Sequence, residues 1–171
     1  ARDSRYRALQ THAETHGAHA VLLGHTLDDQ AETVLLGLTR GSGPQSISGM
    51  RAVNGLWWRP FLFLRRSATE QALRDSDVSW WSDPHNTDRV FVRPRIRHDV
   101  MPVLEDALGP GVAEALARTA ELVREDADYL DQQAMEAMSA VVEGGSINVK
   151  LLHELPPVIA SRVVRCVIVE A

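Results

Sequence analysis

Cysteine and long apolar runs are the features that this 171-residue sequence most lacks. Its single cysteine, Cys166, has no partner within the chain, which excludes a scaffold of internal disulfides. No apolar run approaches the roughly 18 residues of a membrane span, and no signal-peptide pattern opens the chain. We therefore expect a cytoplasmic protein without a membrane partner. Hydrophobic residues, at 44%, provide ample material for a packed core.

Charge is unevenly distributed along the chain, although the net value is only −5. Residues 1–50 carry −1, residues 51–97 carry +4 and residues 98–171 carry −8. Every positive charge in the middle segment is an arginine, whose planar guanidinium suits phosphates and stacked bases better than a lysine ammonium does. The middle segment is therefore a candidate contact for a polyanion. The alternative is a surface on which these arginines pair with nearby Asp and Glu.

The densest chemistry lies between Gly24 and Gly43, in the stretch GHTLDDQAETVLLGLTRGSG. A short apolar run, Ala20–Leu23, precedes it and predicts a buried strand. His25 then lies at the exit of this strand. Thr26 is predicted to cap a helix that begins directly after it.

Within this helix, Asp29 and Glu32 lie three residues apart and share one face. With His25 they form an acidic cluster beside a histidine at the carboxyl end of a strand, where open α/β sheets bind ligands. This pattern favours a functional site. Asp28 has a second explanation, because an aspartate in the first turn complements the helix dipole. Gly41 is predicted to end the helix in a left-handed conformation.

Other local patterns predict a partial parallel-sheet domain of the α/β class. A helix, Gly17, the first strand and the central helix follow one another as in a unit of a parallel sheet. Leu56–Trp58 gives another strand, and Val78–Trp81 is predicted as a strand or an aromatic plug. The four tryptophans are expected in the core, although an exposed one beside arginines could stack on a base. Two further helices are predicted at residues 2–16 and, from a capping box at Ser67–Glu70, at residues 67–74.

The last part of the chain predicts an acidic, α-helical domain. Apolar residues recur at helical spacing from Val112 to Val141 and predict one long helix. Met135 and Met138 of this helix are expected in the hydrophobic core. A strand or extended segment is predicted at residues 147–151, and a helix at residues 157–170. We place the domains at residues 1–98 and 99–171.

Arginines also recur after the turn cluster SDPHNTD at residues 82–88. Pro94 can occupy the first turn of a helix that follows. Arg93 and Arg97 would then lie four residues apart on the same side of this helix.

Together these motifs resemble the tRNA(Ile)-lysidine synthetases, a family of the N-type ATP pyrophosphatase superfamily. The similar blocks are HTLDDQAET with RGSG, RPFL from Arg59, DPHNTD, and RxRIRxxVMPVLE from Arg93. They occur in the family's order and cover about Arg2 to Asp131. The resemblance implies that residues 1–98 are the C-terminal part of a Rossmann-like, ATP-pyrophosphatase-type catalytic domain. It also implies that residues 99–171 are an incomplete helical linker or tRNA-contacting domain. The superfamily's ATP loop, SGGxDS, is absent, so we expect a fragment, inactive alone. Pro94 is a second departure, because many relatives have asparagine there.

The resemblance implies a ligase that uses ATP, with Mg²⁺, to adenylate the C2 carbonyl of the wobble cytidine in a tRNA(Ile) with a CAU anticodon. The side-chain amine of free L-lysine then attacks C2 and releases AMP, which leaves lysidine. A homodimer is compatible with this reading.

Individual residue roles also come from the resemblance. Asp29 and Glu32 match carboxylates that are proposed to hold the cationic ends of lysine. Arg97 matches an arginine proposed to meet the lysine carboxylate. His25 and Asp28 match the surrounding catalytic signature. Contacts with tRNA are implied for three arginines: Arg40, Arg93 and Arg95.

Two other functions remain open on the residues alone. The first is a metal-dependent phosphohydrolase with four candidate ligands: His25, Asp28, Asp29 and Glu32. The second is a non-catalytic RNA-binding module built on the arginines of residues 51–97.

Overall fold

A computed structural model of the protein describes residues 2–41, 43–144 and 146–170. The chain divides into two compact units, residues 1–120 and 121–171. The domain boundary predicted after residue 98 differs from this division and stays a prediction. None of the described helices is long and apolar enough to cross a bilayer.

Helices account for most of the described residues. They are α1 (Arg2–Thr15), α2 (Leu27–Arg40), α3 (Pro44–Ile47), α4 (Arg66–Asp75), α5 (Val92–Arg95), α6 (Met101–Leu108), α7 (Val112–Val141), α8 (Val149–Glu154) and α9 (Pro157–Glu170). The strands are β1 (Val21–Leu22), β2 (Val53–Asn54), β3 (Trp57–Trp58), β4 (Val142–Glu143) and β5 (Ser146–Ile147). The predicted helices at the start, centre and end of the chain are therefore confirmed.

The first unit contains a small mixed sheet with the strand order β1-β3-β2. β1 and β3 are parallel, with Val21 beside Trp57 and Leu22 beside Trp58, whereas β2 runs antiparallel to β3. The α/β class and one parallel pairing are thus confirmed, in strands of only two residues. The prediction of a buried first strand is wrong, because β1 is an edge of this sheet and Leu22 is 67% exposed.

Helix α2 lies at the centre of the first unit. The apolar spacing of Ala31, Val34, Leu35 and Leu38 predicts its packing face, and Ala31 and Val34 are buried, but Leu38 is 53% exposed. Gly41 follows the helix with φ of 61°, the predicted left-handed conformation. Gly37 lies so close to the backbone carbonyl of Ser46 that a Cβ at this position would overlap it, which explains the glycine inside the helix.

The tryptophans are less buried than their hydrophobicity predicts. Trp57 contacts Tyr6 edge to face, with ring centroids 4.7 Å apart. Trp58, Trp80 and Trp81 are exposed, so their assignment to the core is wrong. The segment Val78–Trp81 forms neither a strand nor a plug, because it leaves α4 as an extended loop without a strand partner in the described part of the chain.

Helices α5 and α6 are joined by a π-helical turn, Ile96–Val100. Here the N–H of Met101 donates to the carbonyl of Ile96, five residues back. Pro102 follows, and a proline has no N–H and crowds the carbonyl four residues before it, so a wider turn relieves the clash. Arg97 lies in this widened turn. Pro94 is buried in the preceding helical turn, as predicted.

The second unit is built on the C-terminal part of α7. Among the described residues, its core cluster contains four buried apolar residues: Ala134, Val141, Ile159 and Val163. Met138 packs against this core, but Met135 is exposed, so the core prediction holds for one methionine only. β4 and β5 form a hairpin, with Val142 opposite Ile147.

The strand or extended segment predicted at residues 147–151 is wrong after Ile147, because Asn148 caps a helix that begins at Val149. The side chain of Asn148 accepts hydrogen bonds from the N–H groups of Lys150 and Leu151 at 3.1 and 3.3 Å. Asn148 is therefore the N-cap of α8.

Candidate ligand-binding site

Asp29 has two sets of partners, one at each carboxylate oxygen. Its Oδ2 accepts hydrogen bonds from the N–H and the hydroxyl of Thr26 at 2.8 and 2.9 Å, which fixes the start of α2. Its Oδ1 accepts from Nη2 of Arg66 at 2.8 Å and from Nη2 of Arg97 at 3.1 Å. Burial by itself would raise the pKa of Asp29, but these partners lower it below its usual value. Asp29 is therefore a charged carboxylate at neutral pH.

Glu32 lies one helical turn further along α2 and is buried, with 1% of its surface exposed. Its Oε1 accepts from Nε of Arg97 at 2.6 Å, and its Oε2 accepts from Nη1 of Arg93 at 3.4 Å. Arg93 also donates to the hydroxyl of Thr33 at 3.0 Å. The predicted orientation of Arg93 and Arg97 towards one side is thus confirmed, and that side faces α2. A buried carboxylate requires such partners.

Asp28 contacts the start of α4. Its Oδ2 accepts the N–H of Arg66 at 2.7 Å, and its Oδ1 accepts from Nη1 of Arg65 at 3.2 Å. The first N–H of α4 is therefore satisfied by Asp28. The capping box predicted at Ser67–Glu70 is wrong, because the N-cap of α4 is Arg65, which makes no side-chain cap hydrogen bond.

Arg65 extends the same network towards α6 and α7. Its Nε and Nη2 donate to the two carboxylate oxygens of Glu114, each at 2.6 Å, and Nη2 also donates to Glu105 at 3.3 Å. Glu105 in turn accepts backbone N–H groups at the start of α7, from Gly111, Val112 and Ala113. Burial opposes the ionisation of Glu105, but these backbone donors and Arg65 hold its pKa below the usual value.

His25 lies after β1, as predicted, with its ring partly buried. Its Nδ1 is shielded from solvent and has no hydrogen-bond partner among the described residues. Burial lowers the pKa of His25 below 6.5; nearby arginines add to this effect, and Asp29 opposes it. The imidazole is therefore neutral at pH 7 and able to accept a proton.

A cavity of about 190 Å³ opens beside these groups. Its wall combines carboxylates, guanidiniums and two apolar residues: Asp28, Glu32, Arg65, Arg97, Met101, Pro102 and Glu105. Carboxylates attract a cation, guanidiniums attract a carboxylate, and the apolar residues suit an alkyl segment. The wall therefore suits a small molecule that has groups of both charges on an alkyl chain.

The predicted site residues differ in how they relate to this cavity. Glu32, Arg97 and Asp28 line it. Asp29 contacts Arg97 directly. Arg97 thus bonds to both carboxylates that were assigned to lysine, so a ligand cation there must share or replace this guanidinium.

The arginines assigned to tRNA lie in different environments. Arg40 and Arg95 are exposed, whereas Arg93 is paired with Glu32. Most arginines of residues 51–97 have a carboxylate partner: Arg65, Arg66, Arg74, Arg89, Arg93 and Arg97. Arg59 is buried and donates to the carbonyl of Arg51 at 2.8 Å. The pairing alternative therefore accounts for much of this segment's charge, and a contact with tRNA remains a prediction.

Sequence reasoning missed four members of the network: Arg65, Arg66, Glu105 and Glu114. One local signal was present. Arg65 directly precedes α4 and Arg66 is its first residue, and positive charge at a helix N-terminus opposes the helix dipole. Such a pair indicates acidic partners from elsewhere in the chain. Glu105 and Glu114 carried no comparable signal, because they lie 40 and 49 residues from Arg65.

The metal-ligand alternative has little geometric support. Within the described ranges, no group of three or more His, Cys, Asp or Glu side chains is arranged to hold a metal ion. The carboxylates of α2 are directed to guanidiniums instead, as in Asp29 with Arg66 and Glu32 with Arg97.

Comparison with known proteins identifies the family of this chain. Residues 1–104 match the family model described as a PP-loop domain. The chain therefore belongs to the PP-loop domain family. The matched residues include α2, α5 and the π-helical turn, with the arginines that contact α2.

Within this family, the relatives confirm the resemblance that the motifs predicted. The chain is 51% identical to the tRNA(Ile)-lysidine synthase of Streptomyces coelicolor, over 100% of this chain and 50% of that protein. It is 52% identical to the same-named protein of Mycobacterium tuberculosis, over 96% of this chain and 51% of the relative. It is 50% identical to the tRNA(Ile)-lysidine synthase of Thermobifida fusca, over 96% of this chain and 51% of that protein. The chain thus spans about half the length of these curated relatives.

Proposed function

We propose that the full-length protein is a tRNA(Ile)-lysidine synthetase, a ligase that forms a carbon–nitrogen bond. It joins L-lysine to C2 of the wobble cytidine in a tRNA(Ile) with a CAU anticodon. The observation that carries this proposal is the contact of Arg97 with both Asp29 and Glu32, at 3.1 and 2.6 Å, beside a cavity of about 190 Å³. The names of the relatives support the same reaction.

The proposed reaction has two steps. In the first, the C2 oxygen of cytidine forms a bond to the α-phosphorus of ATP, and pyrophosphate leaves. In the second, the side-chain nitrogen of lysine bonds to C2 and loses a proton, while the C2–O bond breaks and AMP leaves. The SGGxDS loop expected to hold ATP does not occur in these 171 residues. Mg²⁺ is proposed to accompany ATP, and we assign no residue of this chain to either one.

Lysine is proposed to bind with its amino groups towards Asp29 and Glu32 and its carboxylate towards Arg97. Opposite charges at both ends orient the amine before it attacks. His25 is proposed as a catalytic residue that acts with a neutral imidazole, since burial lowers its pKa below 6.5. Asp28 is proposed to act beside it by holding Arg65 and the start of α4.

The tRNA is proposed to contact Arg40, Arg93 and Arg95. Arg40 and Arg95 are exposed, which supports contacts with phosphates. A Rossmann-like sheet of the ATP-pyrophosphatase type, a cytoplasmic location and a homodimer belong to the same proposal.

The direct test uses the full-length protein with ATP, L-lysine and a tRNA(Ile) transcript that carries a CAU anticodon. Mass spectrometry of the digested nucleosides should detect a cytidine derivative heavier by one lysine less one water. A transcript with uridine at the wobble position is the control and should give no such product. Failure to form this nucleoside with all substrates present would contradict the proposed function.

A further inference from the structure

Arg65 joins three helices of the first unit through their carboxylates. It reaches Asp28 of α2, Glu105 of α6 and Glu114 of α7. Its four hydrogen bonds to these groups use every N–H of the guanidinium but one. Arg65 therefore lines the cavity with donors that are almost all occupied. It is poorly suited to hold a ligand carboxylate and well suited to hold the cavity wall.

Two of the carboxylates that Arg65 contacts also act at helix ends. Asp28 accepts the first N–H of α4, and Glu105 accepts backbone N–H groups at the start of α7. Negative charge at a helix N-terminus is favourable. One guanidinium therefore holds the carboxylates that fix the starts of α4 and α7, and it connects both of them to α2.

The position of α2 relative to α6 decides the shape of the cavity. α2 contributes Asp28 and Glu32, and α6 contributes Met101, Pro102 and Glu105. The contacts of Arg65 with Asp28 and Glu105 span these two helices.

We propose that Arg65 is a positioning residue, which sets the separation of α2 and α6 and thereby the fit of the ligand in the cavity. The identity of the ligand, L-lysine, rests on the proposed function, whereas the positioning contacts do not. A lysine at this position would keep the charge but lose the fork, because one ammonium cannot make the paired bonds to Glu114 and still reach the other two carboxylates.

The first experiment compares steady-state kinetics of the full-length protein with those of its Arg65→Lys variant. We expect KM for lysine to rise about tenfold while kcat changes by less than about twofold, because the cavity is distorted but the reacting groups remain. Arg74→Lys is the matched control, since Arg74 is an exposed arginine of α4 whose ion pair, with Glu70, is a weak one at 3.9 Å. Its KM and kcat should equal those of the wild type. A fall in kcat with an unchanged KM for lysine would overturn the proposal, because a merely structural defect lowers the amount of active enzyme.

The second experiment measures amide hydrogen exchange in the full-length protein without substrates. In Arg65→Lys, exchange should accelerate at least about tenfold at Arg66 and at residues 111–113, whose N–H groups bond to Asp28 and Glu105. Glu114→Gln removes the closest partner of Arg65 and should give a smaller acceleration at the same amides. It serves as the second variant where Arg65→Lys folds poorly. Unchanged exchange at these amides in a folded variant would overturn the positioning role.

The two experiments separate this inference from the proposed function. If the wild type forms no lysidine but exchange accelerates as expected, the proposed function fails and the positioning role stands. If the wild type forms lysidine but neither exchange nor KM responds to Arg65→Lys, the positioning role fails alone.

Discussion

Both compact units of this chain have an apolar cluster, but they differ in the charged groups that accompany it. Around α2, the first unit has buried or partly buried carboxylates and guanidiniums, with Glu32 at 1% exposure. The second unit has an apolar core that includes Ile159 and Val163, together with an ion pair between Arg162 and Asp131 at 2.8 Å.

This difference indicates where function lies. Burying charged groups costs free energy that their pairing recovers only in part, and apolar residues of similar size often stabilise a protein as well or better. The second unit holds its helices by apolar packing. The charged network of the first unit is therefore hard to explain by stability alone, and it lies at the cavity.

The largest expected effect comes from Arg97→Ala in the first unit. It leaves the buried Glu32 without its closest partner, so the free energy of unfolding should fall by about 3 kcal/mol. Lysidine formation should fall at least about 100-fold, because the proposed contact with the lysine carboxylate is also lost. Urea denaturation and the nucleoside assay measure the two effects. Arg74→Ala, at an exposed arginine of α4 that does not line the cavity, is the control, and equal losses in both variants would contradict a specific role for Arg97.

In the second unit, a core substitution should affect stability without affecting the chemistry. Val163 is completely buried, and Val163→Ala should lower the free energy of unfolding by about 2 kcal/mol through lost packing. Activity per folded molecule should remain that of the wild type. The contrary result is a decrease in lysidine formation under conditions in which the variant is fully folded. It would show that the second unit also contributes to the chemistry.

Acid should weaken the first unit in a defined order. The pKa of His25 is lowered from 6.5, so its contribution to stability is present above pH 6.5 and is lost as the pH falls through its folded-state value. The pKa of Asp29 is lowered from 3.8, so its contribution is present above that value and is lost at lower pH.

Asp29→Asn tests this order by removing one of the titrating groups. The variant should be less stable than the wild type at pH 7, and the difference in the free energy of unfolding should narrow as the pH falls below 3.8. Urea denaturation at several pH values measures it. A difference that stays constant from pH 7 to pH 3 would show that the charge on Asp29 contributes nothing.

The smallest effects are expected at the exposed arginines of the first unit. Arg40→Ala and Arg95→Ala should each weaken tRNA binding a few-fold and reduce the slope of log K against log salt by about 1. Filter binding across a range of salt concentrations gives both quantities. Unchanged affinity and slope in the double variant would eliminate these residues as phosphate contacts.

Local patterns predicted the parts of the fold that local physics decides. The apolar spacing of α7 and the capping residues of α2 act within one or two helical turns, so the sequence contains the whole signal. The three-residue spacing of Asp29 and Glu32, and the four-residue spacing of Arg93 and Arg97, likewise predicted which side chains share a face.

The remaining features depend on contacts between distant residues. Arg65 meets Glu114 across 49 positions, and no short pattern encodes that pairing. The π-helical turn that carries Arg97 depends on how one helix accommodates Pro102. Hydrophobicity alone also gave a wrong prediction for Trp80 and Trp81. It does not show whether other residues of the folded protein cover the loop that carries them.

The charge selectivity of the cavity is the central claim, and calorimetric titration of the full-length protein with L-lysine and L-norleucine tests it most directly. Norleucine keeps the carboxylate, the α-amine and a similar chain but lacks the terminal amine. We predict that lysine binds at least about 100-fold more tightly, because its terminal ammonium can share the carboxylate of Glu32 with Arg97 whereas norleucine has no cation to place there, and that Glu32→Gln removes most of this preference. Equal affinity for the two amino acids, or an undiminished preference in Glu32→Gln, would contradict the account.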